Sequence, residues 1–185
     1  MSTSPTALHF VTAPKSLTMN EFTQRFGAVY EHSPWIAELT WQSGIDETHS
    51  EVTTLARAMA QTLDAASDEH KLQLINAHPD LAGKAAREGD LTDESCTEQS
   101  SAGLDCCNEN EFLRFQSLND AYKNKFGMPF IMAVRGSNRH QILAGFEERL
   151  PNDHDKEFTR AIQEINRIAL FRLQAMALLE QDTNT

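Results

Sequence analysis

Three segments of this chain carry chemically capable side chains at places where helix or strand propensity gives no reason for them. The first is Asn76-Ala-His78-Pro79-Asp80-Leu81-Ala82-Gly83-Lys84. A helix running into it must end at His78, because the residue before a proline is pushed out of the α region. Pro79 fixes the next backbone turn, and a new short helix can begin near Asp80. A histidine at such a junction is held by the backbone and points away from the regular packing surface. With an unperturbed pKa of about 6.5, it is the side chain best suited to exchange a proton near neutrality.

The second segment, Ser95-Cys96-Thr97-Glu98-Gln99-Ser-Ser-Ala-Gly103-Leu104, reads as an unusually polar helix ending in small residues. The third runs from Lys125 to Gly136. There a helix breaks at Gly127 and Pro129 into the apolar extended piece Phe130, Ile131, Met132, Ala133 and Val134, followed by Arg135. With no neighbouring strand in view, its backbone N–H and C=O groups must find other partners. A flat, amide-rich ligand would satisfy them. Taken singly, each segment has a plainer reading. His78 fits a C-terminal histidine stabilised by the helix dipole, Glu98 and Gln99 fit a solvated helix face, and residues 130–134 fit a buried connecting strand.

The elements that must position these segments are helical. Thr18-Met-Asn-Glu21 forms a capping box that opens a helix to about Phe26. Ser33-Pro34 places an N-cap ahead of a helix through Trp41. Val52, Leu55, Ala56, Met59 and Leu63 make an apolar stripe over 51–64. Ser67 caps a helix over 68–77 whose acidic first turn suits the dipole. The polar segment reads as a helix over 94–103, capped near Thr92 or Asp93. Residues 110–126 carry Phe112, Phe115, Leu118, Tyr122 and Phe126 on one face. Helices over 137–150 and 155–181 follow, the latter with Phe158, Ile162, Ile165, Ala169, Leu173 and Met176 in register. One five-residue strand-like piece cannot make a sheet. The expected fold is an all-α, single-domain bundle of about eight helices, with the short extended segment at 130–134 and with residues 1–14 and 182–185 frayed.

Composition bounds the partners. The 185 residues hold 16 Lys and Arg against 27 Asp and Glu, a formal net charge of −11. That balance argues against nucleic acid and anionic membranes as partners, since both are bound through basic side chains. The length is that of one domain of roughly 100–200 residues. No apolar run approaches the roughly 18 residues that span a bilayer. The N-terminus has no basic region ahead of an apolar core, and the C-terminus does not end in Ser-Lys-Leu, so a cytoplasmic protein is expected. The odd set Cys96, Cys106 and Cys107 fits reduced thiols. Asp153-His154-Asp155 with Glu157 has the residue types of a metal cluster, but reads better as an exposed helix cap. Arg139 and Arg149 are expected to pair with Glu147 and Glu148 at the surface.

In their order and spacing, the three segments resemble the 2-oxo-4-hydroxy-4-carboxy-5-ureidoimidazoline (OHCU) decarboxylase family of urate breakdown. His78-Pro-Asp-Leu-Ala-Gly83, then Ser95-x-x-Glu98-Gln99-x-x-Ala-Gly-Leu104, Leu118-Asn-Asp-Ala-Tyr122 and Lys125-Phe-Gly-x-Pro-Phe130 carry the likeness. It runs from about Phe22 to Leu179. Each motif alone is weak; the four together are specific. The resemblance implies an all-helical, cofactor-free and generally homodimeric lyase that converts OHCU to (S)-allantoin and CO2. It makes His78 the catalytic residue, with Pro79 lining the site. It puts Glu98 and Gln99 on the substrate, with Ser95, Cys96 and Thr97 on the same helix, and makes residues 130–134 the wall whose backbone wraps the ligand. Met128 stands where an aromatic residue is common.

The implied chemistry needs little. Electrons released with CO2 can flow into a C=N bond beside the carboxylate-bearing carbon, so the substrate carries its own electron sink. A ureide-binding protein without catalysis is the competing reading, as is a hydrolase of a neighbouring ureide. The first has no need of His78; the second usually needs a metal. Against a global charge of −11, an anionic substrate must be drawn by a local positive group, and Arg135 is the candidate. Arg135→Gln is expected to raise KM with a smaller effect on kcat in steady-state kinetics; an unchanged KM removes Arg135 from the site.

Overall fold

The computed structural model describes residues 7–83 and 91–183. Among them the chain is all-α, with no strand; the one ladder-like contact is an isolated antiparallel bridge between His9 and Glu51. Eight α-helices are described: α1 (Met19–Phe26), α2 (Trp35–Gln42), α3 (Val52–Asp64), α4 (Asp68–Ala77), α5 (Asp93–Ser101), α6 (Glu109–Phe126), α7 (Arg139–Arg149) and α8 (His154–Thr183). Single 3-10 turns lie at Pro14–Ser16 and Glu47–Ser50. Chain contacts gather into two compact units, one of residues up to His70 with those from Asn166 onward, the other Lys71–Ile165.

Local chemistry explains where these helices start. Thr18 and Glu21 exchange the two bonds of a capping box at α1. Asn108 and Glu111 do the same for α6, and Asn138 and Gln141 for α7. Ser67 accepts the His70 N–H at α4. At α2 the start is one residue later than the Ser33-Pro34 pair predicts: Pro34 itself is the cap residue, and the Ile36 N–H reaches back to the Ser33 carbonyl. Each cap satisfies N–H groups that the first turn leaves without a partner.

In the first unit, Phe22, Phe26, Ile36, Val52, Leu55, Met59, Leu63, Leu173 and Ala177 are buried. Residues 8–14 depart from the frayed terminus expected of them. Phe10 is buried, its ring 5.3 Å from that of Phe26, and the Val11 N–H donates to Glu180 at 3.0 Å. The reason is a small apolar anchor in a polar stretch: Phe10 packs under the Arg25 guanidinium, which lies 5.2 Å from the ring centre. Residues 1–6, 184 and 185 lie outside the described residues.

The same unit buries an ion pair. Arg172 meets Glu31 at 3.0 Å, and both are almost wholly removed from solvent. A buried pair is costly to break, because the survivor keeps its charge without compensation. Arg172→Ala is expected to lower unfolding free energy by about 3–5 kcal/mol, measured by urea denaturation; a loss under ~1 kcal/mol, the size of a surface pair, contradicts this.

Candidate functional site

All the candidate residues lie in the Lys71–Ile165 unit. α4 ends as Pro79 dictates, with the His78 N–H bonding back to Ile75 at 3.2 Å. The imidazole is nearly buried, and Nδ1 sits 2.9 Å from the Leu74 carbonyl oxygen. A carbonyl can only accept, so Nδ1 carries a hydrogen, and in the neutral ring Nε2 holds the lone pair.

α5 begins where Thr92 Oγ1 accepts the Ser95 N–H. Its buried face carries Ser95, Gln99 and Ala102, spaced i, i+4, i+7, with Glu98 half-buried beside them. Cys96 and Thr97 were expected on the binding surface; the structure leaves both exposed. At about 100° per residue, Thr97 falls opposite the Ser95–Gln99 face, and its hydroxyl donates to the Asp93 carbonyl instead.

Gln99 also departs from expectation. Its Oε1 accepts the Ala82 N–H at 3.0 Å and its Nε2 donates to the Asp80 carbonyl at 3.4 Å. The amide edge read as a match for substrate is thus engaged by the turn that follows His78-Pro79. Two residues of α6 hold the same turn. Asn119 Nδ2 donates to the Leu81 carbonyl at 3.0 Å, and Lys123 pairs with the Asp80 carboxylate at 2.6 Å. Lys84, at the end of this motif, lies outside the described residues.

After α6, Gly127 takes a left-handed conformation (φ 68°) that ends the helix, and the chain runs extended. Phe130, Ile131, Ala133 and Val134 are buried, as is Met128; Met132 is half-buried and Arg135 exposed. Several of this segment's backbone groups find protein partners rather than waiting for a ligand. Arg149 Nη1 donates to the Ile131 carbonyl at 2.6 Å. The Ala133 N–H donates to Glu164 at 2.8 Å, and the Val134 carbonyl accepts the Ser137 N–H at 2.9 Å. Phe130 stacks on Phe146 with ring centres 3.8 Å apart and meets Tyr122 edge-on at 5.2 Å.

Arg149 is therefore not the surface residue its sequence neighbours imply. It is buried over the Phe130 ring and pairs with Glu157 at 2.8 Å, not with Glu147 or Glu148. Arg139 pairs with Glu111 at 2.7 Å, and Glu147 with Arg114 at 2.8 Å. Glu157 is likewise buried, where an exposed cap was expected. It accepts from Arg149, from the Tyr122 hydroxyl and from the Asn152 amide. Asp153 does act as a cap, accepting the Lys156 N–H at 2.8 Å. Among the described residues no three His, Cys, Asp or Glu side chains are grouped to hold a metal ion.

The family model described as OHCU decarboxylase matches residues 15–174. The chain belongs to the OHCU decarboxylase family. It is 41% identical over 162 residues to the 2-oxo-4-hydroxy-4-carboxy-5-ureidoimidazoline decarboxylase of Halalkalicoccus jeotgali, with 88% of each chain covered. It is 39% identical to the uric acid degradation bifunctional protein of a Bacillus strain, covering 85% of this chain but 30% of that longer one. Among solved structures, an (S)-allantoin synthase superposes with a TM-score of 0.67 at 32% identity. That match covers 88% of this chain and 52% of the other, so the chain spans about half of that longer protein.

Within this OHCU decarboxylase family member, sequence reasoning overlooked Asn119, Lys123 and Glu164, and assigned Arg149 and Glu157 to the surface. For Asn119 a signal was present: it stands four residues after Phe115 and three before Tyr122, on the apolar face of α6, where a polar residue needs a reason. Arg149 had no such signal, because its partner Glu157 lies beyond the turn into α8.

Glu157 links this geometry to pH. Burial alone would raise its pKa, but the bonds from Arg149, Tyr122 and Asn152 outweigh burial and hold the carboxyl below the usual range. A depressed folded-state pKa contributes stability above the unfolded value, about 4.3 for Glu, and loses it as pH falls through the folded value. Glu157→Gln should therefore be less stable at pH 7 and show a flatter loss of stability on acidification below about pH 4.3. Urea titrations at a series of pH values measure this; parallel pH profiles contradict it.

Proposed function

We propose that this chain decarboxylates OHCU to (S)-allantoin and CO2 in urate degradation, with His78 as general acid/base and without a cofactor. The supporting observation is the state of His78. It is a nearly buried imidazole at the end of α4, and its Nδ1–H is tied to the Leu74 carbonyl. That bond fixes the tautomer and aims the basicity at Nε2. The names of the relatives supply the reaction class, and membership in the family brings it to this chain.

In this reading the bond between the substrate carboxylate and its carbon breaks, and CO2 leaves. The electron pair moves into the adjacent C=N, making a C=C bond while the C=N nitrogen takes a proton. The former C=N carbon then takes a proton as the hydroxyl on its neighbour loses one and becomes a carbonyl. His78 Nε2 exchanges that proton, either through the substrate hydroxyl or at the nascent enol-like carbon, and delivery to one face sets the (S) configuration. Glu98, half-buried beside Ser95, accepts N–H bonds from the ureido group. Pro79, Ser95 and the 130–134 segment shape the pocket, and Arg135 draws the carboxylate. Gln99, whose amide already grips the Asp80–Ala82 turn, supports the site from behind.

The family match spans both compact units, which supports one functional domain. A homodimer is proposed on the exposed leucines 178 and 179 near the end of α8. A cytoplasmic location is proposed on three cysteines that form no disulfide among the described residues. No described helix is long and apolar enough to cross a membrane.

Freshly prepared OHCU followed by circular dichroism tests the reading. Wild-type protein should accelerate formation of (S)-allantoin over the spontaneous decay, and chelator should leave the rate unchanged. His78→Asn should lower kcat by about 10²–10⁴, the usual contribution of a general acid/base. An unchanged rate in His78→Asn removes its role; chelator sensitivity points to a metal-dependent hydrolase; no acceleration at all leaves only a ureide-binding protein.

A further inference from the structure

We infer that Gln99 and Asn119 are positioning residues that set His78 through the Asp80–Ala82 turn; the inference rests on the reading of His78 as the acid/base. Three consecutive residues of this turn have backbone polar groups held by side chains of other elements. Gln99 of α5 takes the Asp80 carbonyl and the Ala82 N–H; Asn119 of α6 takes the Leu81 carbonyl. Lys123, one helical turn beyond Asn119, takes the Asp80 carboxylate.

The turn needs such holding. Ala82 adopts a left-handed backbone (φ 49°), a conformation that L side chains visit at a cost. At Gly83 a Cβ would approach within 2.7 Å of the Asp80 Cβ, so the loop closes tightly on itself. Strained backbone persists only where its surroundings over-determine it. Here those surroundings are the amides of Gln99 and Asn119.

Asn119 itself argues for position over stability. It is 2% exposed, and its Oδ1 is buried with no hydrogen-bond partner among the described residues. A buried acceptor left unsatisfied is a standing cost. An apolar residue of the same shape would avoid it, and the flanking residues of that face, Phe115 and Tyr122, are aromatic core. What Asn supplies, and Leu would not, is the bond to Leu81. The held turn connects to His78 through Pro79 alone, whose ring fixes φ. His78 thus sits between two anchors: Leu74 behind it on α4 and the clamped turn ahead.

The test uses Asn119→Leu and Lys123→Met in the full-length chain, beside His78→Asn. Asn119→Leu removes one unsatisfied acceptor, its own Oδ1, and leaves another, the Leu81 carbonyl; the two costs offset, so its thermal midpoint should stay near wild type. If its catalytic group is misplaced, kcat should fall about 10–100-fold with KM within about twofold. The His78 imidazole resonances in a heteronuclear NMR spectrum should shift from wild type. Lys123→Met, at a half-exposed position, should move both readouts in the same direction by less. Unchanged kcat and unchanged His78 resonances in both variants overturn the inference. So does a raised KM with unchanged kcat, which puts Asn119 on the substrate. If His78→Asn keeps the wild-type rate, the reading of His78 fails by itself, and the resonance shift still decides whether the clamp sets the ring.

Discussion

Arg149 brings a permanent positive charge into the interior of the Lys71–Ile165 unit, and much of that unit is arranged around neutralising it. Glu157 supplies the opposite charge, Tyr122 and Asn152 donate further bonds to that carboxylate, and the Phe130 ring lies under the guanidinium. Such a pair gains little over an apolar core of the same volume, but it is very costly to leave half-made. Its value is directional. A guanidinium has five donors in a rigid fork, and here one of them grips the Ile131 carbonyl. The path of residues 130–134 is thereby tied to α7 and α8 through one side chain.

The same design recurs on the other half of the site. Neither the turn after His78 nor the extended 130–134 segment belongs to a regular ladder, so their backbone groups must be paired one by one. Gln99, Asn119, Arg149 and Glu164 do this, each reaching from a helix to a carbonyl or N–H of an irregular segment. Helices thus act as fixed posts, and polar side chains act as struts to the loops that carry the candidate site residues. This division suits an enzyme reading, because loops can present groups that helices cannot, yet need the rigidity that helices have.

How much of this was legible from the residues depended on range. Capping boxes such as Thr18 with Glu21 act over three residues and were readable. So was the Phe112–Phe126 stripe, because helical periodicity is local, and Pro79 ended α4 where its ring demands. The family was legible in these motifs, and its likeness supplied the chemistry expected of the candidate site. Which face of α5 looks inward was not: a polar helix has no hydrophobic side to mark it, so Cys96 and Thr97 could not be told apart from Ser95 and Gln99. Arg149 and Glu157 look like ordinary surface charges in a row of neighbours, and only tertiary packing reveals their burial. Gln99 was read as facing a ligand amide; in the structure its amide meets the backbone of the Asp80–Ala82 turn, which offers the same pattern of donors and acceptors.

In the proposed reading of His78 as acid/base, its bond to Leu74 has a kinetic meaning as well as a structural one. Leu74 lies in the last turn of α4, where helix carbonyls have no intrahelical donor, so the imidazole fills a vacancy that the helix end creates anyway. The Nδ1–H donates to that oxygen whether the ring is neutral or cationic. A proton arriving at or leaving Nε2 therefore demands no ring flip and no change of partner at the anchored nitrogen. The reorganisation that slows proton transfer in water is absent on this side of the ring, because the chain fold completed it in advance.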